Sequence, residues 1–309
     1  MDFKALKTFH TIVELDGFQK AADVLQYAQS TVTVQIQNLE SDLGVKLFDR
    51  HGKRVKLTEE GRLLSLKTGS LLNAIEDIKR LLTSAGSGYA GRVRIAANEP
   101  SASLRLPMIL ADFCRERPQV QLSLDVGGTE FITETIAEGR ADFGLCSPPV
   151  TQTNLFYEPL FDEQFVLLVS TQNPLANRPD LTMDDLSTER ILMKERTCQY
   201  RAMIERSLME QVSYPGSGVE VGSFEALKGM VQANLGVSFV PEISAAQLPP
   251  GTVARTLVDT TVHLPIGLLY RTDLTMSKAA QSLLEIFRGQ LRQAGRESRP
   301  LSGEAPALS

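Results

Sequence analysis

The chain has 309 residues, 42% of them apolar and 22% charged, with no Trp and a formal net charge of −5. That length supports two or three compact units, and that composition excludes a disordered or fibrous chain. No apolar run is long enough to cross a bilayer, and the first residues lack the apolar core of an export signal.

Three cysteines (Cys114, Cys146, Cys198) form no CxxC pair, which suits a reducing cytoplasm. Residues 4–15 carry Leu6, Phe9, Ile12 and Val13 at helical spacing, and Asp16-Gly17 ends that helix. A second helix follows over 18–25, where the small Ala21 and Ala22 allow close approach of another helix. After a turn at Gln26-Tyr27-Ala28, a third helix is predicted over 29–43, with Val32, Ile36, Leu39 and Leu43 inward. At about 100° per residue, Ser30, Thr33, Val34 and Gln37 point the opposite way. That outward face is short, polar and free of carboxylates, which suits base edges and phosphates. Gln37 can pair with adenine, Ser30 and Thr33 with base or phosphate, and Val34 can touch a thymine methyl. Gln29 and Thr31 flank it.

Residues 45–48 and 54–57 read as a hairpin around His51-Gly52. The net negative charge argues against nucleic acid, and residues 1–62 balance nine Lys/Arg with nine Asp/Glu. Charge is concentrated locally, however, at Arg50, Lys53, Arg54 and Lys56. Screening confines each charge to about 10 Å, so a local cluster is what meets phosphate. A helix, a tight turn, a second helix and a basic hairpin together place one helix face in the DNA major groove.

Thr58 is a suitable N-cap for a long helix reaching about residue 84, with Glu59 and Glu60 at its positive end. Leu64, Leu71 and Ile78 recur every seven residues, and Thr68, Ile75 and Leu82 form a companion series, as in a coiled-coil seam. The Gly/Ser-rich stretch 84–91 marks a boundary. Strands and helices then alternate, the pattern of an α/β domain. Strands are expected at 93–97, 120–126, 142–146, 164–170, 191–193, 219–221, 237–240 and 266–270. Helices are expected at 101–117, 129–138, 199–211, 223–234 and 276–293, with a loose tail from Gly295.

Three blocks carry a resemblance over essentially the whole length. The first runs from Ala21-Ala22 through Gln29-Ser-Thr-Val-Thr-Val-Gln-Ile and Leu39-Glu40 to Leu43-Gly-Val-Lys-Leu-Phe-Asp-Arg50 and Leu57-Thr-Glu-Glu-Gly61. The second is Leu106-Pro107, Phe113 and Pro118 with Glu138-Gly-Arg-Ala-Asp-Phe-Gly-Leu145, and the third is Ala233-Asn-Leu-Gly-Val-Ser-Phe-Val-Pro241. With these blocks the chain resembles the LysR-type transcriptional regulators. It departs from them at Asp16-Gly17, where relatives carry Gly-Ser, and at Val34, often basic or polar in relatives.

The resemblance implies an all-α winged helix-turn-helix N-terminal domain (1–58) and a long dimerising linker helix and hinge (59–91). It implies next an α/β two-lobed effector domain like a periplasmic binding protein (92–294), with lobe I at about 92–161 and 268–294 and lobe II at about 162–267. It implies a bacterial homotetramer, built from homodimers, on an interrupted inverted repeat of promoter DNA, with RNA polymerase as a further partner. A small effector between the lobes would switch it, with no cofactor, no metal and no membrane.

In such folds ligands meet the carboxyl ends of strands, where helix N-termini converge. Asn98, Ser101 and Ser103 fit that rule, as do Gly127-Gly128-Thr129 and Ser147 in the first lobe. In the second lobe Thr197, Cys198, Gln199, Tyr200 and Arg201 open one helix, and Ser223, Phe224 and Glu225 open another. Ordinary capping explains each residue singly; their convergence suggests an anion, a small carboxylate, with Arg201 its best individual partner. Cys198 at a helix N-terminus raises a redox-sensing alternative. An enzyme is the weaker rival: His10, His51 and His263 lie far apart, and no nucleophile, metal or phosphate-loop motif is present. An Asp142 and Glu225 acid/base pair would leave the helix-turn-helix without a role. A solute-binding protein without an export signal and an architectural DNA binder fit less well still.

Overall fold

The computed structural model describes residues 2–49, 56–84, 91–150, 153–196, 198–211, 218–260 and 262–297. The chain divides into two units, residues 1–86 with 137–140, and residues 87–136 with 141–309.

The first unit begins with α1 (Phe3–Leu15), α2 (Phe18–Leu25) and α3 (Gln29–Leu43). Asp2 caps α1 by accepting from the Lys4 amide at 3.2 Å, and α1 stops where Asp16 turns left-handed at φ 49°. Gly17 starts α2 without a side-chain cap. Phe9, Ile12, Ala21, Ala22, Val32, Ile36 and Leu39 are buried together in one core. Each large side chain among them contributes about 1.5–3 kcal/mol by leaving water. Thr8 donates to Gln35 Oε1 at 2.5 Å, tying α1 to α3. Leu43, expected inward, is 37% exposed, because Gly44 turns the chain away at φ 71° just beyond it.

The hairpin pairs β1 (Phe48–Asp49) with β2 (Lys56–Leu57), antiparallel, and residues 50–55 between them lie outside the described residues. Rings of Phe9 and Phe18 meet Phe48 at 5.4 and 5.2 Å. The long helix is α4 (Glu59–Ser84). Its seven-residue series meets two surroundings within the single chain. Leu64 packs against the unit's own core and Thr68 is buried, whereas Leu71 and Ile78 are exposed. Leu63 and Leu66, outside that series, are also exposed.

The second unit holds β3 (Gly91–Ala97), β4 (Val120–Val126), β5 (Phe143–Cys146), β6 (Phe156–Ser170), β7 (Met193–Lys194), β8 (Glu220–Val221), β9 (Ser238–Pro241), β10 (Thr252–Arg255) and β11 (His263–Tyr270). Its helices are α5 (Leu106–Glu116), α6 (Thr129–Ala137), α7 (Gln199–Gln211), α8 (Phe224–Gln232) and α9 (Lys278–Glu297). β3 lies between its parallel partners β4 and β5. β11 pairs antiparallel with both β5 and β6, and the far half of β6 carries β9 and β10. β7 and β8 form a parallel pair, joined toward β9 through an Ile191–Val237 bridge. β6 and β11 are thus the strands common to two halves of an α/β domain, the two-lobed architecture expected of residues 92–294.

Four expectations need correction. β6 starts at Phe156 rather than 164: Pro159 faces Gly267, where the register shifts, so the bulge absorbs the missing donor. β10 is an additional strand, a short edge strand without an apolar run to mark it in the sequence. The helix over 101–117 is two pieces, a wide π-turn at Ser101–Arg105 and then α5, because Pro107 lacks the amide that a continuous α-helix needs. α9 continues to Glu297 through residues assigned to the tail, and 298–309 lie outside the described residues. No helix among the described residues is long and apolar enough to cross a membrane.

Candidate DNA-binding face and ligand cavity

On α3 the residues Gln29, Ser30, Thr31, Val34 and Gln37 are exposed, Val34 by 51%. Thr33 is half-buried and its hydroxyl donates to the Gln29 carbonyl at 3.0 Å. The Glu40 carboxylate is withdrawn from solvent at 2% exposure, so it leaves the face uncharged. It accepts from Lys46 Nζ at 2.8 Å and from the Leu47 and Phe48 amides at 2.9 and 3.4 Å. Burial works against its charge, but those donors outweigh it and hold the carboxyl below the ordinary range. Lys56 is exposed on β2, and Arg50, Lys53 and Arg54 lie outside the described residues. The result is an uncharged polar helix face beside a hairpin that carries cations in sequence.

In the second unit a cavity of about 330 Å³ lies where strand ends and helix starts meet. Of the anticipated residues, Asn98, Gly128, Thr129, Ser147, Cys198, Tyr200, Ser223 and Phe224 line it. Asn98 donates to the Tyr200 hydroxyl at 2.8 Å. Ser147 bonds Thr129 at 2.6 Å and Gln199 at 3.1 Å. Tyr200 packs between Phe165 and Phe224, with centroids at 5.0 and 5.7 Å, and burial pushes its phenol well above the ordinary value. The cavity therefore combines aromatic walls with a few fixed polar groups, as small-molecule sites do.

Three anticipated residues stand elsewhere. Ser101 is fully buried in the π-turn, its amide on Asn98 Oδ1 at 3.1 Å, and Ser103 is exposed; neither lines the cavity. Arg201 is buried but turned away, bonding Glu205 at 2.9 Å, Glu220 at 2.8 Å and the Lys194 carbonyl at 2.9 Å. Burial alone would lower its pKa, yet the two carboxylates raise it. Arg201→Ala is therefore expected to destabilise this unit by about 1–3 kcal/mol through lost charged hydrogen bonds. Thermal unfolding checks this: an unchanged melting temperature with a lost ligand response would return Arg201 to the cavity. Thr197 lies outside the described residues.

Glu99, Lys194, Glu195 and Gly222 also line the cavity, and sequence reasoning missed them. A lysine ending the apolar run Ile191-Leu192-Met193 was the available signal for Lys194. Burial raises the Cys198 thiol pKa, although the Arg201 and Tyr200 amides donate to its sulfur. A protonated, 92%-buried thiol is a poor nucleophile, which works against the redox alternative.

A helix-turn-helix unit and a two-lobed unit with a ligand-sized cavity define a transcriptional regulator with an effector-binding domain. Residues 3–62 match the bacterial regulatory helix-turn-helix protein, lysR family, and residues 86–292 match the LysR substrate binding domain. The chain belongs to the LysR family of transcriptional regulators. It is 31% identical over 298 residues to the HTH-type transcriptional regulator YtlI of Bacillus subtilis (strain 168), covering 96% of each. Among solved structures it is similar in fold to CbnR, a LysR family transcriptional regulator, with TM-score 0.73, 21% identity and coverage of 96% of this chain and 99% of that one. CbnR has also been solved with its target DNA, and that structure matches with TM-score 0.70 and 21% identity over 93% of this chain and 99% of that one. A full-length OxyR variant from Pseudomonas aeruginosa matches with TM-score 0.70 and 22% identity, over 94% of this chain and 95% of that one.

Proposed function

We propose that this regulator is a cytoplasmic, non-enzymatic switch that reads an interrupted inverted repeat in promoter DNA and answers to a small carboxylate-bearing effector in the 330 Å³ cavity. The observation that carries the reading is that cavity, walled by the segments just beyond β3 and β5, the end of β4 and the start of α6 on one side, and by the end of β7 and the starts of α7 and α8 on the other. The working division is 1–58 for DNA, 59–91 for the dimerising helix and hinge, and 92–294 for the effector. Exposed Leu63, Leu66, Leu71 and Ile78 on α4 supply apolar surface for a homodimer, and a homotetramer and RNA polymerase contact are the further expectations. An effector shifts such an assembly only by its different affinity for two states. Gln29, Ser30, Thr31, Thr33, Val34 and Gln37 lie against the major groove, with Lys56 and the other hairpin cations on phosphate.

Retarded gel mobility of the DNA upstream of its own gene, altered by a metabolite, tests the whole reading. Gln37→Ala should weaken specific binding by about 1–3 kcal/mol if it pairs a base bidentately. Lys56→Ala should weaken all sequences alike and lower the salt dependence by about one unit. Unchanged affinity in both variants would show that α3 lies differently on DNA.

A further inference from the structure

Glu99, two residues beyond β3, reaches across the cavity to the start of α8. Its Oε1 accepts from Ser223 Oγ and the Phe224 amide, both at 3.1 Å, and its Oε2 stands 3.2 Å from that amide and 3.4 Å from Lys194 Nζ. A free carboxylate bound at a helix N-terminus would make the same contacts. The donors there are already in use. Ser223 also caps the Glu225 amide at 3.2 Å, and the buried Lys194 ammonium is shared with the Gly222 carbonyl and, at 3.4 Å, with Glu195. The start of α7 is closed as well, by the Cys198 sulfur on the Tyr200 and Arg201 amides. α6 differs: among the described residues the amides of Thr129 and Glu130 meet no side-chain acceptor, and the Thr129, Ser147 and Gln199 side chains stand beside them.

We infer that Glu99 is the specificity-determining residue of this cavity: its tethered carboxylate occupies the anion position at α8, and the ligand must carry an ammonium group as well as a carboxylate. The inference rests on the proposal that the cavity is the effector site. A second anion at the α8 pole would meet Glu99 and Glu195 against the single ammonium of Lys194, a like-charge cost that partial burial enlarges. An ammonium there instead meets those two carboxylates against the one Lys194 ammonium, a net attraction, while the ligand's own carboxylate faces Gly128, Thr129 and Ser147. Val126, Pro100 and Phe224 take the hydrocarbon between them.

Two measurements on the full-length protein test this. In the first, sodium acetate is compared with sodium chloride at equal ionic strength. Acetate should raise the melting temperature of the Glu99→Ala variant, where it can fill the vacated position as well as the open α6 end, more than that of the parent, where only the α6 end is open. Glu99→Gln, which retains an acceptor for the Phe224 amide and leaves no vacancy, should respond to acetate no more than the parent; if Glu99→Ala fails to fold, the second measurement on Glu99→Gln decides. Acetate stabilising Glu99→Ala no more than the parent overturns the occupancy.

In the second, amino acids are paired with their des-amino partners: alanine with propionate, glutamate with glutarate, phenylalanine with 3-phenylpropionate. The parent should bind the ammonium-bearing member of a pair at least about tenfold tighter, and Glu99→Gln should erase that preference. Equal binding within pairs, or binding of no member while promoter DNA is still retarded, overturns the ammonium requirement and leaves the DNA reading standing. Failure to retard DNA overturns the regulator reading, and the acetate comparison still decides the role of Glu99.

Discussion

Gly61→Ala is expected to unfold or severely loosen the DNA-binding unit and abolish retardation of promoter DNA. In most exposed helical positions the exchange would help, since alanine is the better helix former by about 1 kcal/mol. Here Gly61 is the third residue of α4 and lies against the strand entering the hairpin. A Cβ at this position would overlap the Leu47 carbonyl oxygen and stand 3.0 Å from Leu57 Cδ2. The obstacle is backbone that cannot rotate aside, because Leu47 O accepts the Thr58 amide at 3.0 Å and Thr58 Oγ1 is held between the Gly61 amide at 3.0 Å and the Lys46 carbonyl at 2.6 Å. Relief requires α4 to lift from the core that Leu64 and Leu72 complete. Overpacking of a tight site costs about 1–3 kcal/mol and more where backbone must move, so the clash outweighs the propensity gain. A unit of this size has little stability to lose. Circular dichroism melting of the full chain should show an early transition; a variant that melts with the parent would refute the steric account.

Which parts of this molecule could be read from its residues depends on how local their causes are. The three N-terminal helices announced themselves because Leu6, Phe9, Ile12, Val32, Ile36 and Leu39 are a core face at helical spacing. The buried half of β6 did so as a continuous apolar run, whereas its first half, with Glu158, Pro159 and Asp162, looks like a loop until β11 supplies a partner. The cavity was legible through one rule, that ligands meet strand ends and helix starts, which found Asn98, Thr129, Ser147 and Ser223. That rule says nothing about pairs made across space. Glu99 and Lys194 are 95 residues apart, and only the packing of the two halves shows that one carboxylate fills a helix terminus assigned to ligand. Arg201 turns from the cavity for a reason that is local after all: Glu205 lies four residues on, at the spacing of a helical ion pair.

Glu40→Ala should cost about 3 kcal/mol, because it strands the Leu47 and Phe48 amides around a buried site, while the exposed Lys46 ammonium returns to water. Near the end of α3 a carboxylate faces the negative pole of the helix, so its presence needs a local reason. The reason is the turn from α3 into the hairpin. Glu40 fixes Lys46, Leu47 and Phe48, and thereby the angle at which β1 leaves the helix. Glu40→Gln keeps an acceptor for Leu47 but sets an amide against Lys46, and should cost less than the alanine exchange. The charge makes the effect depend on pH. Since the folded carboxyl titrates below its ordinary value, the stabilisation is complete above the unfolded pKa of about 4.3 and is lost as pH falls through the lower folded value. The parent should therefore lose stability more steeply than Glu40→Gln as pH drops below about 4.3. Melting curves of the two full-length proteins across that range separate this from a purely steric role, for which the two pH slopes would coincide. DNA affinity at neutral pH gives the second readout: if Glu40 orients the hairpin, Glu40→Gln weakens binding even where the unit remains folded.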